Sequence, residues 1–251
     1  MQALLRYPLS VLYYVLFFGT LCIFHPIQWL CLKGFGYDAH KASVSFLNFF
    51  IVQNLKILGT RIRFDIEQPL PEGIPLIFVS NHQSTYDIPP MIWHFRKQHP
   101  KFISKSSLGK GIPSVSFNLK YGGSVLIDRN KRKQSLEAIE TFGKNLEEKK
   151  WSAVVFPEGT RSRDGKCKKF HRGGLLSLMK NMPSAQIVPI AIGNSWKFGQ
   201  QGYFPLPLGV HLKFDVGAPL PIPAEEDHET FIYQLQKNLH QKVEKLQEGM
   251  L

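Results

Sequence analysis

A histidine and an aspartate stand five positions apart in the segment Asn81-His82-Gln83-Ser84-Thr85-Tyr86-Asp87, directly after the short apolar run Ile74 to Ser80. A continuous apolar run of that length predicts a buried strand, and α/β proteins place their sites in the loops at the carboxyl ends of such strands. His82 then falls in the strand-to-helix turn, Ser84 or Thr85 caps the helix, and Asp87 lies in its first turn. Residues five apart do not share one face of a regular helix. The pair meets only if His82 stays outside the helix and the carboxylate folds back toward the imidazole. So placed, the carboxylate fixes the imidazole tautomer and stabilises the imidazolium formed when the ring takes a proton, which is the chemistry of a general base. Taken alone, the pair also fits a surface histidine beside a helix-capping aspartate. A metal pair lacks a third His or carboxylate at supporting spacing.

A second string, Phe156-Pro157-Glu158-Gly159-Thr160-Arg161-Ser162-Arg163, follows another apolar strand, Ala153-Val154-Val155. Gly159 permits a sharp turn. Arg161 and Arg163 carry planar forks that match phosphate oxygens, although a charged surface loop reads the same way in isolation. The formal net charge of +12 and the pI near 9.6 favour anionic partners: nucleic acid, an acidic membrane surface, phosphorylated substrates or an acidic carrier protein. The densest basic loop holds Arg161, Arg163, Lys166, Lys168, Lys169 and Arg172, and neither C2H2 spacing nor an RNP-like run accompanies it, so nucleic acid is not the expected partner. The three cysteines, Cys22, Cys31 and Cys167, give no disulfide framework and no zinc spacing, and the reading for Cys167 is an inert loop thiol in a reducing compartment.

The elements that must position these loops are legible in outline. From Tyr7 to Leu32 there is no Asp, Glu, Lys or Arg, enough for the ~20 residues that cross a bilayer. Tyr13, Tyr14 and Trp29 suit an interface. No small-x-small cleavage site follows, which argues against a secretory leader, while a buried core helix is the other soluble-protein reading. His25-Pro26 interrupts the run, and Ala42 to Asn54 is again free of formal charge. A spanning helix and a two-helix hairpin dipping into one leaflet both fit. Arg6 on one side and Lys33 and Lys41 on the other leave the orientation open. Strands are expected at Arg61 to Ile66, Ile74 to Ser80, Gly123 to Asp128, Ser152 to Phe156, Gln186 to Ile192 and His211 to Val216. Leu136, Ile139, Phe142 and Leu146 mark one helical face, and Phe231, Ile232, Leu235, Leu239, Val243 and Leu246 another, expected to pack on the sheet. The fold class is α/β: a mostly parallel mixed sheet flanked by helices, preceded by an N-terminal membrane-embedded helical segment. The expected division is 1–58 for the helical anchor and 59–251 for the remainder.

Together the two strings are specific. NHQSTYD followed by FPEGTRSR resembles the glycerolipid acyltransferase family, particularly the 1-acyl-glycerol-3-phosphate acyltransferases. Lys105 in KFISKSSLGKGIP looks like the family's basic residue ahead of a proline, here Pro113. GGSVLIDR, ending in Asp128-Arg129, resembles the family's Asp-Arg segment, and Val188-Pro189-Ile190-Ala191 its short apolar-Pro block. The similarity runs from Ile74 to Ile192, with an N-terminal helical hairpin also typical. Phe170-His171-Arg172-Gly173 departs from the common Phe-Lys-x-Gly string.

The resemblance implies transfer of a fatty acyl group from acyl-CoA or acyl carrier protein to the sn-2 hydroxyl of lysophosphatidic acid, without a further cofactor or a metal. His82 acts as the base, Asp87 orients it, Glu158 and Gly159 shape the acceptor site, and Arg161 holds the phosphate with Lys105 and Arg129 as secondary candidates. Thr160 looks more like the lysophosphatidate group than the glycerol-3-phosphate group, where Gly is common. The implied location is a membrane, with the catalytic part on the cytoplasmic face. The alternatives are a sister enzyme acting on glycerol-3-phosphate, a lyso-phospholipid or a lyso-aminolipid, and a non-catalytic membrane protein binding anionic lipid.

Overall fold

The computed structural model describes residues 2–128 and 130–248. Strand β2 (Leu76–Ser80) is buried along its whole length because it lies mid-sheet, between β5 (Ser152–Val155) and β6 (Gln186–Gly193), parallel to both. Beyond β5 the sheet continues with β3 (Pro100–Lys105) and β4 (Val125–Ile127), also parallel. On the other side β7 (His211–Val216) runs antiparallel to β6, and β1 (Arg61–Ile66) pairs in parallel with β7 at the edge. A short β8 (Leu220–Pro221) joins β6. The order is β1-β7-β6-β2-β5-β3-β4.

The register pairs Val79 with Val155, so the strands preceding the two chemistry-bearing strings are neighbours that end together. Two strings far apart in sequence therefore emerge side by side at one edge of the sheet.

Alternation along β2 splits the core into two layers. Leu76 and Phe78 join Tyr13, Leu55, Leu58, Tyr86 and Phe214 on one face. Ile77 and Val79 join Ile139, Phe142, Leu175, Leu178, Ile232, Leu235 and Leu239 on the other. The second layer is covered by α5 (Arg132–Lys149), α6 (Arg172–Asn181) and α7 (His228–Glu248), so the final amphipathic helix packs on the sheet as its stripe requires. The first is covered by α1 (Gln2–Leu30), α2 (Tyr37–Leu55) and the short α3 (Ile88–His94).

The break expected at His25-Pro26 is not where the chain turns. Helix α1 runs through Pro26, and the reversal comes at a π-helical turn, Cys31–Phe35, followed by Gly36 at φ +86°. Proline removes a single backbone donor, which an apolar helix tolerates, whereas the left-handed φ at the turn favours glycine. Next to the proline, His25 Nδ1 accepts from the Ser114 N–H at 3.0 Å, just before α4 (Val115–Tyr121). Helices α1 and α2 then lie antiparallel, joined by Asn54 Nδ2 donating to Thr20 Oγ1 at 3.0 Å and by Phe24 against Phe50.

The segment Leu4–Phe35 is long and apolar enough to cross a membrane. Its outer face leaves Leu4, Val11, Val15 and Phe18 exposed. A polar stripe with four-residue spacing interrupts that apolar character. Arg6 donates to the carbonyls of Pro205 and Leu206, Ser10 Oγ accepts from the Leu206 N–H, and Tyr14 OH donates to the Tyr203 carbonyl. These bonds fasten the loop after β6 to the helix.

Candidate active site

The loop after β2 is held open by its own hydrogen bonds. Ser84 caps a single 3-10 turn, Thr85–Asp87, its Oγ accepting from the Tyr86 N–H at 3.0 Å. Asp87 Oδ2 accepts from the N–H groups of Gln83 at 2.7 Å and Ser84 at 3.0 Å. The same oxygen lies 2.8 Å from His82 Nδ1. His82 is thus outside the helix with the carboxylate folded back on it, the geometry the spacing required. Asp87 is fully buried, while the His82 side chain is 14% exposed. Occupation of Nδ1 by the carboxylate leaves Nε2 as the nitrogen that can take a proton from outside. The ring stacks on Phe156 with centroids 4.2 Å apart, which fixes its plane.

The loop after β5 closes against this one. Ser162 N–H donates to the His82 carbonyl at 2.8 Å, and Glu158 Oε1 accepts from the His82 N–H at 3.4 Å. Glu158 is 1% exposed. Burial pushes its carboxyl up to about 7, against the pull of the His82 and Lys168 N–H groups, and the Asp87 charge adds to the rise. Gly159 sits at φ +66°, a left-handed conformation that favours glycine, and a Cβ there would press on the His171 ring at 3.1 Å from Cδ2. His171 N–H in turn donates to the Pro157 carbonyl at 2.7 Å. Thr160 and Arg161 are exposed at the tip. Arg161 Nη1 donates to Tyr203 OH at 3.0 Å, and Lys168 Nζ donates to the Arg161 carbonyl.

His82, Asp87, Glu158, Gly159, Thr160 and Arg161 are therefore brought into one constellation. Lys105 ends β3 on the same sheet edge, exposed and with β5 between its strand and β2. Arg129 lies outside the described residues. Among the described residues there is no group of His, Cys, Asp and Glu side chains that could hold a metal ion. Cys167 is pushed up to about 12, chiefly by burial and then by Glu158 and Glu244, so it stays a thiol.

Several supporting residues escape sequence reasoning. Asn81 exchanges both amide bonds with the Ile192 backbone, at 2.9 Å and 2.7 Å, pinning the end of β2 to β6. Gln83 reaches Gly165 and Trp196, tying three loops together. Ser84 Oγ meets Ser195 Oγ. Tyr203 comes from a Gly- and Pro-rich stretch with no local signal, and its partner Arg161 is known only from the fold. Phe156 was visible as part of its string, but nothing in that string marks it as the wall behind His82.

A family model described as Acyltransferase matches residues 61–193, more than half of the chain. A 1-acyl-sn-glycerol-3-phosphate acyltransferase of Chlamydomonas reinhardtii is 35% identical over 49% of this chain and 35% of its own length. The enzyme of that name from Saccharomyces cerevisiae is 30% identical over 59% of this chain and 47% of its own. The chain thus spans between a third and a half of these curated relatives. The crystal structure of the 1-acyl-sn-glycerophosphate (LPA) acyltransferase PlsC from Thermotoga maritima superposes with a TM-score of 0.81, covering 98% of both chains at 20% identity, and so shares the fold. With the matched segment running from β1 to the end of β6 and containing both loops of the constellation, the chain belongs to the acyltransferase family.

Proposed function

We propose that the chain transfers a fatty acyl group from a thioester, acyl-CoA or acyl carrier protein, to the sn-2 hydroxyl of lysophosphatidic acid, giving phosphatidic acid. The observation that carries this reading is the 2.8 Å contact between His82 Nδ1 and Asp87 Oδ2, held by backbone bonds against the Glu158–Arg161 loop. His82 Nε2 takes the proton of the acceptor hydroxyl as that oxygen bonds to the thioester carbonyl carbon. The tetrahedral intermediate collapses with loss of the thiolate, and the imidazolium returns its proton to the sulfur. Asp87 stabilises the imidazolium throughout. No acyl-enzyme is required: Ser84 is fully buried and its hydroxyl is engaged by Tyr86 N–H and Ser195.

Arg161 is the phosphate clamp, a guanidinium at the exposed tip of the loop, oriented by Tyr203. Lys105, which ends β3 at the same edge, supplies further positive charge, and the family resemblance adds Arg129 as a second candidate. The names of the relatives support the acceptor, as does Thr160 within the loop. Residues 1–58 form the membrane anchor, crossing the bilayer or dipping into one leaflet as a hairpin, and 59–251 the catalytic part on the cytoplasmic face. The test is a matrix of lysophosphatidic acid, glycerol-3-phosphate, a lyso-phospholipid and a lyso-aminolipid against both donor types, with His82→Ala as control. Preference for lysophosphatidic acid is expected; preference for another acceptor overturns the substrate, and turnover undiminished in the control overturns the base.

A further inference from the structure

At the opposite edge of the sheet a small cavity of about 30 Å³ opens between α2, α3, α4 and the start of β3. Its lining includes His40, Lys41, Arg96, His99 and Lys101 and contains no Asp or Glu. His40 and Lys101 are among those that are buried. His40 is 1% exposed, and neither ring nitrogen has a hydrogen bond among the described residues. Lys101 is 7% exposed, its Nζ lying 5.1 Å over the Trp151 ring and 5.4 Å over the Tyr37 ring. The charges that bear on Lys101 are Lys41 and Lys149, both of its own sign, while the acid in this region, Asp38, acts on the Tyr37 hydroxyl instead. A buried ammonium with aromatic neighbours and like charges calls for an anion.

We propose that this cavity binds a phosphate group, with one oxygen seated between His40 and Lys101 and the rest held at the mouth by Lys41 and Arg96. The enclosed volume suits a single water-sized group, so the phosphate enters end-on and its remainder stays outside. Arg96 is already oriented: its guanidinium lies 4.2 Å over the Trp93 ring and Nη1 donates to the Trp93 carbonyl at 2.9 Å. Burial, with Lys41 and Lys149, pushes the Lys101 ammonium down to about 7, and a bound anion opposes both effects. His99 Nε2 is already engaged by Tyr37 OH at 2.9 Å. Beside the mouth Phe46 and Phe50 of α2 are exposed, with Phe46 and Phe49 against Trp93. That apolar rim suits a phosphate carried on an amphiphile, whose headgroup shares its chemistry with free phosphate.

The site is distinct from the acyl-transfer constellation, and its test reads binding rather than turnover. The full chain in detergent, carrying Arg161→Ala to remove the clamp at the other edge, is titrated calorimetrically with inorganic phosphate and with a short-chain phosphatidic acid. Saturable binding of at least one probe is expected, weakened at least about tenfold by Lys101→Met. The paired change Lys41→Ala and Arg96→Ala touches only the rim, leaves the core packed, and should weaken binding by about the same factor. Tighter binding of the lipid assigns the site to a headgroup, and equal binding assigns it to a free phosphate group. The proposal is overturned if neither probe binds saturably, the cavity then holding only water, or if binding survives both sets of substitutions unchanged.

Discussion

At the carboxyl edge of the sheet, His82 has an aspartate oxygen 2.8 Å from one ring nitrogen and a side chain open to solvent. At the amino edge, His40 and Lys101 are buried deeper and have no acid at all. The same kinds of nitrogen thus serve opposite ends. An imidazole with a fixed carboxylate partner can gain and lose a proton repeatedly, because the resulting charge is met in place. Buried nitrogens with no acid in their lining cannot do this cheaply, and in the proposal they are completed by a ligand that brings the negative charge. The partner of the histidine, rather than the histidine, separates a reactive edge from a binding edge.

The sharpest way to break this contrast is His82→Ala. General-base assistance is worth about 10²–10⁴ in rate, so turnover should fall by that factor with the fold intact by circular dichroism; retention of more than about a tenth of the wild-type rate would remove His82 from the chemistry. Arg161→Ala should raise the KM for the phosphorylated acceptor by about 10–100-fold, the size of a lost charge-assisted contact, while leaving the donor KM alone. An unchanged acceptor KM would move the clamp to another residue.

Glu158 sharpens the comparison through stability. Its carboxyl is pushed up to about 7 by burial, so the folded protein keeps a proton that the unfolded chain releases at lower pH. The stabilisation is complete below the ordinary glutamate value and is lost as pH rises toward the folded value. Between about pH 5 and about pH 8 the wild type should lose on the order of 1–3 kcal/mol relative to Glu158→Gln, seen as a falling Tm that the variant lacks. Parallel melting curves for the two proteins would show that Glu158 is ionised when buried. The smallest expected effect is that of Tyr203→Phe. Loss of its hydrogen bond to Arg161 should raise the acceptor KM about 2–10-fold with kcat unchanged, and should have no effect in the Arg161→Ala background. An equal effect in both backgrounds would show that Tyr203 acts independently of Arg161.

Much of this was legible in the sequence, for reasons that differ by element. β2, β5 and β6 announce themselves because central strands are apolar on both faces, β7 by its alternation of polar and apolar residues, and Ser84 and Asp87 are readable because capping is local. β3 was not identified: Lys101 and Lys105 disguise a strand, and Lys101 is buried only because Trp151 and Tyr37 pack around it. Pro26 misplaced the turn of the hairpin, since proline's local cost is small in a helix held by tertiary contacts. Tyr203, Asn81 and the stacking of Phe156 on His82 depend on residues distant in sequence, and no periodicity reports them. The strings point to the groups proposed for the chemistry; the contacts that hold them still became visible only in three dimensions.

The stripe of Arg6, Ser10 and Tyr14 on α1, with Tyr13 wholly enclosed in the core beside Phe78 and Phe214, makes the first helix something other than a detachable tether. Trimming it to obtain a soluble fragment would strip an aromatic wall from the sheet and release the loop that presents Tyr203 to Arg161. Deleting α1 therefore removes part of the core and a loop support, not an appendage.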